Sequence, residues 1–190
     1  QPGHWGLTVH DPVVALADLI EDQDPVLVIG ATDGACALFL AAHGALVHVC
    51  DPDIAAVYGL EGRAVNEQLG ALIECTVVQL ERFEPFAWFV ACVVETGALA
   101  DLPAQERSRL IERLKRVTPD GGRHAVMPAS QGRGRADGRL SSDALRSLYG
   151  DWEVIAPPVA SSAPGKKPKN SGFTAIHAAS QNGTELPVSE

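Results

Sequence analysis

The chain lacks the features of several common protein classes. Its 190 residues contain no apolar run approaching the ~20 residues that a membrane-spanning helix needs, so no membrane association is expected. Lysine and arginine total 15 against 24 aspartates and glutamates. The resulting net charge of −9 argues against general nucleic-acid binding, which requires a basic face. Residues 1–7 have no charged or apolar segment typical of a signal peptide, so a cytoplasmic location is expected.

Cysteines in the spacing of a metal or redox motif are also missing. No Cys-x-x-Cys occurs, and the four cysteines stand singly within apolar segments, at Cys36, Cys50, Cys75 and Cys92. We therefore expect no zinc site, no other metal site and no redox motif. The four side chains are interpreted as buried, reduced thiols.

The most informative stretch that is present combines an apolar run, a glycine turn and a later acid. Residues 26–29 are apolar, and residues 30–34 read Gly-Ala-Thr-Asp-Gly. Asp51 follows Gly30 by about 21 residues, which matches a nucleotide-type βαβ unit whose terminal carboxylate accepts ribose hydroxyls. Glycine lets the backbone approach a ligand closely, and the next helix offers unpaired N–H groups at its N-terminus.

The glycine turn does not complete the Gly-x-Gly-x-x-Gly pattern of dinucleotide-binding proteins. Thr32 and Ala35 occupy the second and third glycine positions counted from Gly30. A nucleotide-linked oxidoreductase is therefore disfavoured.

Helix and strand patterns alternate along the rest of the chain. A first helix begins at Asp11 and ends before the break at Asp24-Pro25, and further helices are predicted at 35–43, 54–69, 103–117 and 142–149. Strands are predicted at 26–29, 45–50, 72–80, 86–94, 123–127, 153–156 and 173–178. This order predicts an α/β fold with a doubly wound, mainly parallel seven-stranded sheet and an antiparallel edge pair. Residues 1–179 are expected to form a single domain, followed by a flexible tail at 180–190.

Four stretches, taken in order and spacing, resemble a known family. They are the opening at 4–8, the helix, strand and acid at 38–51, the turn within 114–122, and the last helix and strand at 145–154. Together they resemble class I S-adenosylmethionine (SAM)-dependent methyltransferases, most closely the tellurite-resistance methyltransferase type. The resemblance implies a Rossmann-like methyltransferase domain, SAM as cofactor, and an enzyme that methylates a small-molecule, thiol or metalloid-type acceptor.

The resemblance also implies which residues contact the cofactor. The glycine turn would line the methionine part of SAM, Asp51 would receive the ribose hydroxyls, and the pair at 79–80 would flank adenine. Ala91 and Cys92 are placed at the end of the fourth strand, near the sulfonium. The predicted set is Gly30, Ala31, Thr32, Gly34, Asp51, Pro52, Gln79, Leu80, Ala91 and Cys92.

Three positions depart from the family's pattern. Val28 replaces an acid in the first strand, Thr32 replaces the middle glycine, and Ala87 replaces an acid often found in the fourth strand. Each lost partner weakens binding by ~1–3 kcal/mol where a polar ligand group is left unpaired. A second interpretation therefore stays open, in which a degenerate methyltransferase fold acts as a binding or structural subunit with an unidentified protein partner.

Glu95 and His10 are the candidate catalytic residues. A sulfonium already activates its methyl group, so a base is needed only for a protonated acceptor. The alternative for Glu95 is a solvated loop acid after the fourth strand. The alternative for His10 is a capping or packing histidine beside Asp11-Pro12.

Overall fold

The fold is known here from a computed structural model, which describes residues 9–127, 141–155 and 172–178. The strands in these ranges are β1 Pro25–Ile29, β2 Leu46–Asp51, β3 Ile73–Val77, β4 Ala91–Glu95, β5 Arg123–Met127, β6 Glu153–Ile155 and β7 Phe173–Ile176. They form one seven-stranded sheet in the order β3-β2-β1-β4-β5-β7-β6. The predicted tail at 180–190 and the opening stretch at 4–8 lie outside the described residues.

The pairing of the strands confirms the predicted mixed sheet. β1 pairs in parallel with β2 and β4, β2 with β3, and β4 with β5. β7 runs antiparallel to both β5 and β6, so the antiparallel pair closes one edge with β6 outermost. Central parallel strands are covered on both faces and read as continuous apolar runs, which explains why residues 26–29 are all buried.

The helices alternate with the strands and begin at recognisable signals. They are α1 Asp11–Ala17, α2 Ala35–Ala42, α3 Ile54–Asn66, the short α4 Thr96–Leu99, α5 Ala104–Arg116 and α6 Ser142–Ser147. Asp53 caps α3 by accepting the N–H groups of Ala55 and Ala56. Most helices end one to three residues earlier than predicted. Within the described ranges, no helix has the length and apolar character needed to cross a membrane.

The two faces of the sheet carry separate apolar clusters, as a doubly wound fold requires. Val26 and Val28 point into a cluster with α1, α2 and α3. Leu27 and Ile29 point to the other face, into a cluster with α5 and α6. The alternation follows from the two-residue period of a strand. Because the helices cover both faces, the connecting segments lie where the strands begin and where they end.

Two predicted strands differ from the observed ones at their boundaries. The third strand was expected to run to Leu80 but ends at Val77, because residues Leu80–Arg82 form a 3-10 turn. The guanidinium of Arg113 on α5 donates to the carbonyls of Leu80 and Glu81, at 3.0 and 3.2 Å, and holds this turn. The fourth strand was expected from residue 86 but begins at Ala91 and ends at Glu95.

All four cysteines are free, as predicted, and three of them are buried. Cys75 on the edge strand β3 is half-buried, which the sequence did not indicate. Burial raises the pKa of the Cys50 thiol to about 12 and that of the Cys75 thiol to about 11. The thiols are therefore protonated at neutral pH and weakly reactive.

We expect native protein at pH 8 to react slowly with a thiol reagent such as DTNB, and only through Cys75. Cys75 is the most accessible of the four thiols, while the others require unfolding to be reached. In guanidinium chloride all four should react rapidly. A Cys75→Ser variant should have almost no native reactivity, and rapid labelling of this variant would contradict the burial of the remaining thiols.

Candidate functional site

The carboxyl ends of β1, β2 and β4 meet at one edge of the sheet. The register pairs Ile29, the last residue of β1, with Cys50 on one side and Val94 on the other. One residue later, β2 ends at Asp51 and β4 ends at Glu95, so the two acids flank the turn that starts at Gly30. In the sheet, β2 and β3 lie on one side of β1, and β4 and β5 lie on its other side. The strand order therefore switches between β1 and β4, and open α/β sheets bind ligands at such switch points.

The glycine turn is tightly packed on both sides. Gly30 has a φ of +107°, and a Cβ at this position would lie 2.9 Å from Cβ of Glu95. Gly34 has a φ of +74°, and its Cβ would lie 2.7 Å from Cδ1 of Leu60 on α3. Only glycine tolerates both the backbone conformation and the contact. Gly30 thus lets Glu95 approach the turn, and Gly34 lets α3 pack against it.

Asp51 is fully buried and holds two turns together. Its Oδ2 accepts the N–H of Ala31 at 2.7 Å, and its Oδ1 accepts the N–H of Asp53 at 2.7 Å. The first bond ties β2 to the glycine turn, and the second ties it to the start of α3. An ionised carboxylate has about four lone-pair sites, so these two bonds orient Asp51 without excluding further donors.

Glu95 is only 6% exposed, so the interpretation as a solvated loop acid is wrong. It is the last residue of β4 and leads directly into α4. One carboxylate oxygen accepts a hydrogen bond from Oγ1 of Thr32. Burial, and then the nearby carboxylate of Glu95, raise the pKa of the Cys36 thiol in the first turn of α2 well above its usual value.

Thr32 connects the glycine turn to β4. Its φ of +21° lies at the border of the left-handed region, which β-branched residues rarely adopt. Its hydroxyl faces Glu95 and donates to the carboxylate. The sequence did not indicate this pair.

The predicted position of Ala91 and Cys92 at the end of the fourth strand is wrong. They are the first two residues of β4, paired with Val26 and Leu27 at the start of β1. A strand rises about 3.3 Å per residue, so Cys92 lies about 10 Å along β4 from Glu95. We therefore leave both residues out of the candidate site.

The other predicted contacts lie around the same edge. Leu80 is buried in the apolar cluster that also contains Ile29 and Cys50, whereas Gln79 just before it is exposed. Pro52 is exposed directly after Asp51.

His10 is half-buried and precedes α1, where its carbonyl accepts the N–H groups of the third and fourth residues that follow it. His10 is thus the N-cap residue of α1, but its side chain makes no capping hydrogen bond, and a catalytic role stays a prediction.

Comparison with known proteins places this geometry in a wider group. No protein-family model and no curated protein sequence matches the chain. Among solved structures, TehB from Haemophilus influenzae is similar with a TM-score of 0.69 and 18% identity, over 94% of this chain and 65% of TehB. A TehB-like SAM-dependent methyltransferase from Corynebacterium glutamicum has a TM-score of 0.64 and 15% identity, over 94% of this chain and 92% of its own.

The N-methyltransferase NodS from Bradyrhizobium japonicum, solved with S-adenosyl-l-homocysteine (SAH), is also similar. Its TM-score is 0.64 at 17% identity, over 90% of this chain and 89% of NodS. The chain has the class I methyltransferase fold. The predicted Rossmann-like architecture is thereby confirmed. At these identities the likeness shows the fold, whereas the chemistry of the site depends on Asp51, Glu95 and the glycine turn.

Proposed function

We propose that the chain binds SAM at the carboxyl edge of β1, β2 and β4 and transfers its methyl group to a small-molecule acceptor. The observation that carries this proposal is the pair of buried carboxylates, Asp51 and Glu95, on either side of the Gly30 turn. SAM carries a sulfonium and an ammonium, both positive, whereas a dinucleotide carries a negative pyrophosphate. An acid at the position of Asp51 suits the ribose of either ligand, whereas the second carboxylate, Glu95 beside the turn, suits the positive groups of SAM and repels a pyrophosphate.

The residues at this edge have distinct proposed tasks. Asp51 would accept the ribose hydroxyls, because its carboxylate is already oriented by two backbone N–H groups. Gln79, which is exposed, would offer its amide to adenine, and Leu80 beside it is buried. The bound cofactor supplies a methyl group activated by the sulfonium. The protein then contributes mainly orientation and exclusion of water.

Glu95 is the proposed base for an acceptor that carries a proton. Its carboxylate ends β4 beside the glycine turn, where it could accept that proton in the course of transfer. The acceptor is proposed to be a small molecule, since a chain of net charge −9 repels the phosphates of a nucleic acid.

Asp51→Asn is expected to weaken SAH binding by ten- to a hundredfold, because hydrogen bonds to a charged acceptor exceed those to a neutral one by this order. Isothermal titration calorimetry with SAH measures the dissociation constant. Asp18→Asn, at an exposed position just after α1, is the matched control and should bind as the wild type does. A thermal melt of each variant checks that it is folded. Unchanged SAH binding by Asp51→Asn would contradict the assignment of this edge.

One observation favours a second candidate function, a class I fold retained as a binding or structural subunit. The chain's own groups already bond both carboxylates: Asp51 accepts two backbone N–H groups and Glu95 accepts the Thr32 hydroxyl. The edge is thus stable without a ligand. Absence of SAH binding up to millimolar concentration would favour this function, and the search would then turn to a protein partner.

A further inference from the structure

The side chain of Glu95 occupies the space beside Gly30. A Cβ built on Gly30 would meet Cβ of Glu95 at 2.9 Å and its Cγ at 3.4 Å. Glu95 is buried in this position. A ligand atom that approaches the Gly30 backbone from the β4 side therefore meets Glu95 first.

The hydroxyl of Thr32 holds Glu95 in place by donating to its carboxylate. The thiol of Cys36 on α2 lies near enough for this carboxylate to raise its pKa. A hydrogen bond to an ionised acceptor is about twice as strong as one between neutral groups. The Thr32 backbone adopts a φ of +21° while making this bond, a conformation that needs compensating contacts in a β-branched residue.

Ala31, the residue before Thr32, is bonded to the end of β2. Ala31 donates its N–H to Asp51 at 2.7 Å, while Thr32 donates its O–H to Glu95. Two consecutive residues of the turn therefore bridge the ends of β2 and β4. They bond the two carboxylates that, under the proposed function, accept the ribose hydroxyls of the cofactor and the proton of the acceptor.

We infer that the Thr32–Glu95 contact competes with SAM for the site, so that Thr32 sets the affinity for the cofactor. This inference rests on the proposed function for the identity of the ligand. Binding has to displace Glu95, because its side chain fills the space beside the Gly30 backbone that the ligand needs, and the bond from Thr32 holds it there. Without the Thr32 hydroxyl, the closed arrangement loses its main bond and the cofactor meets less opposition.

Two variants of Thr32 separate the effect of its hydroxyl from the effect of its side-chain shape. Thr32→Val keeps the branched side chain and removes the O–H, whereas Thr32→Ser keeps the O–H and removes the methyl group. We expect Thr32→Val to bind SAH about tenfold to a hundredfold more tightly than Thr32→Ser, which should stay near the wild-type value. Calorimetric titration of each full-length protein with SAH gives the comparison.

A ligand-free readout accompanies the titration. Hydrogen exchange of the amides of Ala31 and Thr32 reports the opening of the turn, and we expect it to be faster in Thr32→Val than in Thr32→Ser. If the wild type binds SAH and the two variants bind equally, or Thr32→Val binds more weakly, the inference is overturned. Equal exchange rates in the two variants overturn it as well, with or without a ligand.

The failure of the proposed function gives a different pattern. In that case no variant binds SAH, yet exchange is still faster in Thr32→Val, which supports the closing role of the Thr32–Glu95 contact while removing SAM as its competitor. Faster exchange together with tighter SAH binding supports both.

Discussion

Gly30→Ala is expected to destabilise the protein by about 4 kcal/mol, combining ~1–3 kcal/mol of backbone strain with ~1–3 kcal/mol of overpacking. The φ of +107° at Gly30 is a conformation that alanine avoids. The added methyl would stand 2.9 Å from Cβ of Glu95, an atom fixed by the end of β4 and unable to swing away as the tip of a long side chain can. Urea unfolding followed by circular dichroism gives the free energy of unfolding.

Gly59→Ala provides the matched control for this substitution. Gly59 lies on the exposed side of α3, and a Cβ there meets nothing within 4 Å. Alanine in a helix interior is favoured over glycine by ~0.5–1 kcal/mol, so this variant should be slightly more stable than the wild type. A Gly30→Ala variant as stable as Gly59→Ala would show that Glu95 does not pack against the turn.

The parts of the fold and site that the sequence predicted correctly depend on neighbouring residues. The apolar run before Gly30 marks β1, and its distance to Asp51 marks the end of β2, because strand patterns and turn residues are local signals. The order of such signals along the chain was enough to predict a doubly wound sheet with an antiparallel edge pair. The bond from Asp51 to Ala31 follows from the same βαβ unit.

The contact between Thr32 and Glu95 could not be found in this way. These residues are 63 positions apart, and two strands and two helices separate them. Nothing in the local pattern around Glu95 distinguishes a buried acid at a strand end from a solvated acid in the following loop. The useful signal was the topology itself, since acids that end both neighbours of β1 must face its turn.

The misplacement of Ala91 and Cys92 has a different physical cause. Residues 86–89 are as apolar as a strand, yet they lie before β4 and make other tertiary contacts. The N–H of Phe89 donates to the carbonyl of Val117, and the ring of Phe86 packs edge-on against His48 with centroids 4.8 Å apart. An apolar composition indicates that these residues pack in the protein, but not whether their backbone pairs with a neighbouring strand.

His124 is expected to give the second large effect, a loss of stability in acid. Its ring is fully buried in β5, with Nε2 2.8 Å from the hydroxyl of Thr118 and Nδ1 3.0 Å from the hydroxyl of Tyr149. Thr118 gives its own proton to the carbonyl of Leu114 at 2.9 Å. Nε2–H therefore donates to Thr118, and Tyr149 donates to Nδ1, so the neutral ring is fully paired.

Protonation of His124 would turn Nδ1 into a hydrogen-bond donor that faces the donating hydroxyl of Tyr149. Burial, together with the nearby charges of Lys115 and His177, lowers the pKa of His124 from 6.5 to about 3. The unfolded chain thus binds the proton first as the pH falls. The contribution of this residue is complete above pH 6.5 and is lost between pH 6.5 and about 3, at about 1.4 kcal/mol per pH unit.

Urea unfolding of the wild type and of His124→Gln at several pH values between 7 and 4 isolates this contribution. Glutamine keeps a donor and an acceptor at the site but does not titrate. Other groups add their own acid sensitivity to both proteins, so the difference between the two free energies is the informative quantity. We expect the advantage of the wild type to shrink by about 3 kcal/mol from pH 6.5 to pH 4. Parallel curves would mean that His124 binds its proton equally well in the folded chain, which the closed bonding between Thr118 and Tyr149 does not allow.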